Sequence, residues 1–199
     1  MKSKTVMTKE FIIHVNLLFV MVATSLILLF SGVAIPFVEC FAVDDQDNIY
    51  ISGYSKIYVY EGKNRIRTLS AQTSSGYMFT IKEDNTILLS TASKVYSMDL
   101  YGNILSSNPD PSCDTYNQIQ YRKNRFTTQI GDTYKIVSSL GWTRIVKNGT
   151  TVVYRISSIS FIIKIMLYIS SCACVALPII YIRKARKMQN QKDTSDESQ

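Results

Sequence analysis

Two long apolar runs flank a middle segment in which apolar and polar residues alternate. No charged residue occurs from Leu17 to Val38, and the eighteen residues from Ile165 to Ile182 are also uncharged. An apolar helix of about 20 residues crosses a hydrocarbon core of roughly 30 Å. We therefore expect transmembrane helices at residues 11–38 and 156–182, the second kinked by Pro178.

The first apolar run has a second interpretation, which is a cleaved signal peptide. Lys2, Lys4 and Lys9 form a basic start, and Gly32-Val33-Ala34 supplies small residues for cleavage. A signal core holds about 7–15 apolar residues, roughly half the length of this run, which favours a retained helix. Under either interpretation the second run anchors the chain.

Basic residues beside the two runs set the expected orientation. Lys2, Lys4 and Lys9 precede the first run, and four more basic residues follow the second: Arg183, Lys184, Arg186 and Lys187. Because Lys and Arg are enriched on the cytoplasmic side of membrane helices, both termini of this multi-pass protein are expected in the cytoplasm. Residues 1–10 and 183–199 are then cytoplasmic, the latter a basic tail that is disordered from Met188, and residues 39–155 lie outside.

The middle segment consists of short runs rich in Ile, Val, Tyr and Thr, separated by Asp-Asn, Gly and Ser turns. Such runs are typical of strands and hairpins. The clearest hairpin signal is Asn148-Gly149, because both residues favour positive φ. The predicted strands are Phe41–Val43, Ile49–Ser52, Lys56–Tyr60, Arg65–Leu69, Tyr77–Ile81, Thr86–Ser90, Lys94–Met98, Asn103–Ser106, Trp142–Val146 and Thr151–Tyr154.

Part of this pattern recurs about every 38 residues. The equivalent positions are Asn48, Asn85 and Asn124, and Tyr58, Tyr96 and Tyr134. Four short antiparallel strands per unit of about 40 residues is typical of a β-propeller blade. In Ile49-Tyr50-Ile51 both faces of the strand are apolar or aromatic, as expected for a sheet that is covered on both sides.

Two stretches, Phe41-Ala-Val-Asp-Asp-Gln-Asp-Asn-Ile-Tyr-Ile51 and Ile57-Tyr-Val-Tyr-Glu-Gly62, resemble NHL-type and related propeller repeats. The resemblance covers roughly residues 41–155, with Asp-Asn where these repeats often have a glycine. It implies a platform that binds proteins, glycans or other ligands, with enzymes in the minority. The expected fold class is a mainly β extracytoplasmic domain, a propeller-like arc of about three four-stranded antiparallel blades, flanked by two transmembrane α-helices.

An arc of three blades has a consequence for partners. Propeller rings usually close with about four to eight blades, and an unclosed arc leaves strand edges that invite pairing with another chain. One expectation is therefore a homo-oligomer or a partner membrane protein. The alternative is a compact open meander whose terminal strands are covered by loops and by the bilayer.

The charge of the chain follows its topology. The formal net charge is +7, yet residues 39–155 hold thirteen basic and eleven acidic side chains. The basic excess therefore lies near the apolar runs, and we expect the lipid bilayer as partner and no nucleic acid. Contact of Arg183–Lys187 with anionic lipid is the alternative to simple positive-inside anchoring.

Few residues in the outer segment offer catalytic chemistry. The single histidine, His14, lies at the start of the first predicted span, on the cytoplasmic side, so the outer segment has no histidine for a catalytic triad or a zinc site. No Gly-rich phosphate loop and no Cys-x-x-Cys pair occurs, and no cofactor is expected. The remaining candidates are the turn carboxylates Asp44, Asp45, Asp47, Glu83 and Asp84. They suit hydrogen bonding within their own turns or a glycosidase acid–base pair separated by roughly 5–10 Å. A calcium site at Asp44, Asp45 and Asp47 is a further alternative.

The cysteines divide between the outer segment and the second apolar run. A disulfide between Cys40 and Cys113 is a candidate in an oxidising compartment, whereas Cys172 and Cys174 are small packing residues. The outer segment also holds eleven of the thirteen tyrosines and Trp142. These aromatic side chains suit either recognition of a ligand or burial in the strands.

The sequence favours a membrane-anchored extracytoplasmic binding or scaffold protein that is not an enzyme. The alternatives are a carboxylate-dependent glycan hydrolase and an accessory subunit of a transporter.

Overall fold

The computed structural model describes residues 2–31, 34–35, 37–73, 76–139 and 142–196. The chain divides into two compact units, which are described separately. One is helical and comprises Met1–Leu28 and Ile162–Gln199, and the other is rich in β-structure and comprises Leu29–Phe161.

The helical unit contains most of helices α1 (Lys2–Phe30) and α3 (Ser158–Asp196). By length and composition, Lys9–Phe30 and Ser158–Lys187 are long and apolar enough to cross a membrane. Both stretches carry many exposed apolar side chains, which suits a lipid environment.

The ends of both helices differ from those predicted. α1 ends at Phe30, so the predicted span to Val38 was too long, and Ala34 and Ile35 are buried in the β-rich unit instead. Gly32 and Pro36 are poor helix formers, and they were the sequence evidence for an earlier end of the helix. Positions 32, 33 and 36 themselves lie outside the described residues. At the other end, α3 continues to Asp196. The structure therefore assigns helix to residues 188–196, where the sequence predicted disorder; the Gln and Lys residues of this stretch favour helix.

Aromatic residues join the two helices of the helical unit, and two buried serines bond within their own helices. Ser25 and Ser170 are buried, and each donates its hydroxyl to the carbonyl four residues earlier in its own helix, at 2.8 and 2.7 Å. In the first half of α1, His14 Nδ1 lies 3.2 Å from the Tyr181 hydroxyl, and the Phe11 ring meets the Tyr181 ring edge-on at 4.8 Å.

Three four-stranded antiparallel sheets form the β-rich unit, each with its strands in sequence order. The first sheet contains β1 (Phe41–Val43), β2 (Ile49–Ser52), β3 (Lys56–Glu61) and β4 (Asn64–Ser70). The second contains β5 (Met78–Ile81), β6 (Ile87–Ser90), β7 (Lys94–Met98) and β8 (Ile104–Pro109). The third contains β9 (Arg125–Thr127), β10 (Thr133–Ser139), β11 (Trp142–Lys147) and β12 (Thr151–Arg155). All ten predicted strands are present, with their ends shifted by at most three residues.

The first sheet is covered on both faces. Ala42, Tyr50, Ile57 and Val59 pack in one apolar cluster with residues of the second sheet, such as Phe79. The alternate residues pack in another cluster with residues of the third sheet: Phe41, Val43, Ile49, Ile51 and Tyr58 against Tyr134, Ile145 and Tyr154. Burial on both faces explains why these strands lack the usual alternation of apolar and polar residues.

The third sheet departs from the predicted repeat because a helix precedes it. Helix α2 (Asp114–Arg122) lies between the second and third sheets in the chain, and it contacts β5. Its sequence is polar, with Ile119 as its buried residue, so the sequence has no periodic apolar pattern that would predict this helix. The insertion makes Arg125–Thr127 the first strand of its sheet, so Asn124 does not correspond to Asn85. The position in the third sheet that corresponds to Asn85 is Gly131, because both are the fourth residue of the turn after the first strand of their sheet.

Candidate functional site

The turns that follow the first strand of each sheet have the same backbone structure. In residues 44–48, 82–86 and 128–132, the first residue of the turn donates its N–H to the carbonyl of the fifth residue. The fourth residue donates its N–H to the carbonyl of the first and has a positive φ, and these fourth residues are Asp47, Asn85 and Gly131. Asn, Asp and Gly are the residues that adopt this backbone region at least cost.

These three turns contact one another at one end of the β-rich unit. Asn85 Nδ2 donates to Asp45 Oδ2 at 2.8 Å, which joins the first and second turns. Gln129 Nε2 donates to the carbonyl of Glu83, which joins the third and second turns. By strand direction, the chain enters β1 and leaves β12 at the opposite end.

A lysine joins the first and third turns. Lys147 Nζ lies 3.0 Å from Asp47 Oδ2 and 2.8 Å from Asp132 Oδ2. Tyr134 donates its hydroxyl to Asp47 Oδ1 at 2.5 Å, and Asn148 Nδ2 donates to Asp132 Oδ1 at 2.7 Å. We call these five residues the lysine cluster.

The lysine cluster stabilises charged carboxylates. The hydrogen bond from Tyr134 and then that from Lys147 lower the pKa of Asp47, and Lys147 followed by Asn148 lowers the pKa of Asp132. The same carboxylates raise the pKa of Lys147, so all three groups hold their charges at neutral pH. Sequence reasoning missed Asp132 and Lys147, because neither residue lies beside the Asp44–Asp47 stretch in the chain.

Asp44 and Asp84 bond their own turns. Asp44 accepts hydrogen bonds from the N–H groups of Gln46 and Asn48 and from the Tyr50 hydroxyl, at 2.8–3.2 Å. Asp84 accepts from the N–H and the hydroxyl of Thr86. The structure thus pairs Asp47 with Asp132 through Lys147, whereas Asp84 bonds Thr86 within its own turn. Among the described residues, no group of three or more His, Cys, Asp or Glu side chains is placed to hold a metal ion.

The cysteines predicted to pair are both free thiols in the structure. Cys40 is fully buried in the cluster between the first and second sheets, and burial raises its pKa to about 12. Cys113 lies before α2 and donates its thiol to the carbonyl of Ala92 at 2.8 Å. The candidate Cys40–Cys113 disulfide is therefore not formed here. Cys172 and Cys174 are exposed on α3 rather than packed inside the helical unit.

A cleft lies between the second and third sheets, beside the end of α2, and we call it the α2 cleft. Its volume is about 1020 Å³. A neighbouring cavity of about 530 Å³ shares Thr80, Tyr121, Arg122, Arg125 and Phe126 with it. The two cavities therefore adjoin each other at these five residues, beside the end of α2.

The lining of the α2 cleft is cationic and aromatic. Lys82, Arg122, Arg125 and Lys135 face two carboxylates, Glu83 and Asp84. None of the four cations forms an ion pair with a residue that the structure describes. Tyr121 is 92% exposed at the rim, an unusual position for a large aromatic side chain. Such a surface suits an anionic ligand with a flat or apolar part.

The basic residues predicted to set the topology lie on the two long helices. Lys9, Arg183, Lys184, Arg186 and Lys187 are exposed. The side chains of Lys2 and Lys4 lie outside the described residues. Lys184 Nζ also lies 5.8 Å from the centre of the Tyr181 ring.

Comparisons with known proteins identify no family. No protein-family model matches the chain, and no curated protein matches it. Among solved structures, a protein of unknown function from Bacteroides caccae is similar over 59% of this chain, with 11% sequence identity and a TM-score of 0.31. The matched part spans 44% of that protein.

Proposed function

We propose that this chain is a membrane-anchored binding protein whose three sheets form a propeller-like arc outside the cytoplasm and bind an anionic partner in the α2 cleft without catalysis. The α2 cleft carries the proposal, because it combines four cations with an exposed tyrosine. Two helices long and apolar enough to span a membrane support the anchor.

The arc is supported by the contacts of the first strands. β1 lies beside both β5 and β9, so the first strands of all three sheets meet near one axis. The first sheet packs on the second through one face and on the third through the other. First strands at the axis and sheets packed face to face are features of propeller blades.

Binding without catalysis is supported by the hydrogen bonds of the carboxylates. Asp44 and Asp84 accept hydrogen bonds from their own turns, and Asp47 and Asp132 are both bonded to Lys147. A general acid needs a carboxyl group whose pKa is raised, whereas the pKa values of Asp47, Asp84 and Asp132 are lowered. The hydrolase alternative therefore has less support than the binding proposal.

A site-specific crosslinking experiment tests the cleft. A photoreactive phenylalanine at position 121 is expected to crosslink a partner in native membranes, and the crosslink is expected to disappear in an Arg122→Gln, Arg125→Gln background. Position 101 is the matched control, because Tyr101 is also exposed, at 72%, but lies in the turn between β7 and β8. Equal crosslinking at both positions, or a crosslink insensitive to the two arginine substitutions, would contradict the cleft as the binding site.

A further inference from the structure

A second groove lies between the first and third sheets, and we call it the serine groove. Its volume is about 870 Å³. It begins at Ser157, Ser158 and Ser160, where α3 starts, and extends along β12 to the turn between β3 and β4. The α2 cleft shares none of the residues described as lining this groove.

The serine groove carries charge of one sign. Among the described residues that line it, Lys63, Arg65 and Arg155 are cationic and none is acidic. All three cations are exposed. Arg65 lies 5.2 Å from the centre of the Tyr58 ring. The groove thus differs from the α2 cleft, where two carboxylates accompany the cations.

Another arginine adds to the positive charge beside the groove. Arg144 on β11 is the cross-strand partner of Arg155 on β12. Like charges directly opposite each other on neighbouring strands repel. Arg144 Nε is buried and has no hydrogen-bond partner among the described residues. A bound anion would relieve the repulsion between these two side chains.

The start of α3 supplies hydrogen-bond donors at the same place. Ser157 caps the helix, because its hydroxyl accepts the N–H of Ser160 at 3.1 Å. Ser158, which is exposed, also lines the groove. The stretch that is long and apolar enough to cross a membrane begins at this residue, Ser158–Lys187. Serine hydroxyls and cations at the start of a membrane span suit a phosphate group at the bilayer surface.

Aromatic side chains line the apolar part of the serine groove. The rings of Tyr60 and Tyr154 meet at 5.0 Å, and Trp142 stacks on Phe161 with ring centres 4.1 Å apart. Trp and Tyr are enriched where membrane proteins cross the bilayer surface. The same groove therefore offers apolar contacts for the upper part of an acyl chain.

We propose that the serine groove binds the headgroup of an anionic phospholipid from the bilayer that α3 enters. This inference rests on the proposed membrane anchor, but not on a ligand in the α2 cleft. A lipid is favoured over a soluble anion because Arg155, the serines and Trp142 line the part of the groove where the apolar stretch of α3 begins. The lipid would hold the β-rich unit against the membrane surface through Lys63 and Arg155.

Trp142 is a built-in probe for this proposal, because it is the sole tryptophan of the chain and lines the groove. The full chain is placed in nanodiscs in which either phosphatidylglycerol or phosphatidylcholine is brominated near the headgroup end of its acyl chains. Bromine quenches tryptophan fluorescence at short range. We expect stronger quenching of Trp142 by the brominated phosphatidylglycerol than by the brominated phosphatidylcholine.

Matched variants test the charges. Lys63→Gln with Arg155→Gln should weaken the lipid preference about fivefold for each cation removed, the factor that corresponds to about 1 kcal/mol per basic side chain. Lys56→Gln with Lys94→Gln removes the same charge from two exposed lysines outside the groove and should leave the preference unchanged. The double variant Lys63→Arg, Arg155→Lys keeps both charges and should retain the lipid preference. This result would show that the groove tolerates substitution at these positions.

Each other outcome overturns a defined part of the proposal. Equal quenching by both lipids would refute the headgroup site while leaving the membrane anchor intact. No quenching by either lipid would refute both the site and the placement of the β-rich unit at the bilayer. If inorganic phosphate at constant ionic strength abolished the preference, the groove would be a site for free phosphate rather than for lipid.

Discussion

At the scale of single residues, the carboxylates of this protein divide into those that shape turns and those that join sheets. Asp44 is the first residue of its turn and Asp84 the third residue of its turn, and each accepts hydrogen bonds from N–H groups that follow it. Asp47 and Asp132 instead bond residues of another strand. The turn role follows from local sequence, whereas the joining role needs Lys147 and Tyr134, which lie 100 and 87 positions from Asp47.

Asp44 should be the most sensitive turn carboxylate. It is 3% exposed and accepts four hydrogen bonds, including one from the buried Tyr50 hydroxyl. Asp44→Ala removes the acceptor of the buried Tyr50 hydroxyl and of three partly buried nitrogen donors, and we expect the free energy of unfolding to fall by about 2–4 kcal/mol. Chemical denaturation of the full chain in detergent measures it. Asp84→Ala is the control. We expect it to lower the free energy of unfolding by less, because water reaches the hydrogen-bond partners of Asp84. Equal losses of stability in the two variants would contradict this account.

The lysine cluster should make stability depend on acid pH. Because the folded state lowers the pKa of Asp47 and Asp132 below the ordinary value of 3.8, the unfolded chain binds more protons as the pH falls. Stability is thus present above about pH 4 and is lost as the pH drops towards the lowered pKa values. Thermal unfolding between roughly pH 6 and pH 3 measures it. Lys147→Gln should flatten this dependence, whereas an equally steep dependence in the variant would exclude the cluster as its cause.

At the scale of elements, strands were predicted well and helix ends were not. Runs such as Ile49–Ser52 and Lys94–Met98 were predicted with their observed ends, because apolar composition and turn residues mark both ends of a strand locally. Apolar length alone placed the end of α1 at Val38 rather than Phe30, since it does not show where an apolar segment leaves the helix to join a β-core. Helix α2 was missed because its exposed faces carry no periodic apolar signal.

The hairpin between β11 and β12 offers a test of turn chemistry. Asn148 and Gly149 have φ values of 50° and 78°, as their sequence predicted. In the Gly149→Ala variant the new Cβ has no atom within 4 Å, so the substitution destabilises the protein only through backbone strain at positive φ. We expect the free energy of unfolding to fall by about 1 kcal/mol. Gly76→Ala is the matched control, since its nearest neighbour is 3.9 Å away and its φ is not positive. Equal stability of the two variants would contradict this assignment.

At the scale of the whole molecule, the first sheet is the centre of the β-rich unit. It packs against both other sheets, and the three first turns are joined in pairs at one end. The fourth strands lie at the sheet edges, and β8 is exposed along its whole length. A second copy or a partner membrane protein is therefore expected to pair at β8 rather than near the axis.

The proposed topology gives a labelling prediction. A cysteine at position 121, where the native side chain is almost fully exposed, should react with a membrane-impermeant maleimide in intact cells. A cysteine at the exposed position 187 should react only after the membrane is permeabilised. The reverse pattern would place the β-rich unit in the cytoplasm, contrary to the orientation inferred from the basic residues.

The sequence by itself determined the strands, most turn positions and the two apolar stretches, because each depends on residues that are neighbours in the chain. The tertiary structure alone decided that Asp47 meets Lys147 and Asp132, that Cys40 is buried away from any disulfide, and that both faces of the first sheet are covered. These features arise from contacts between distant segments. Their formation depends on how whole sheets pack against each other, and local residue patterns do not encode that packing directly.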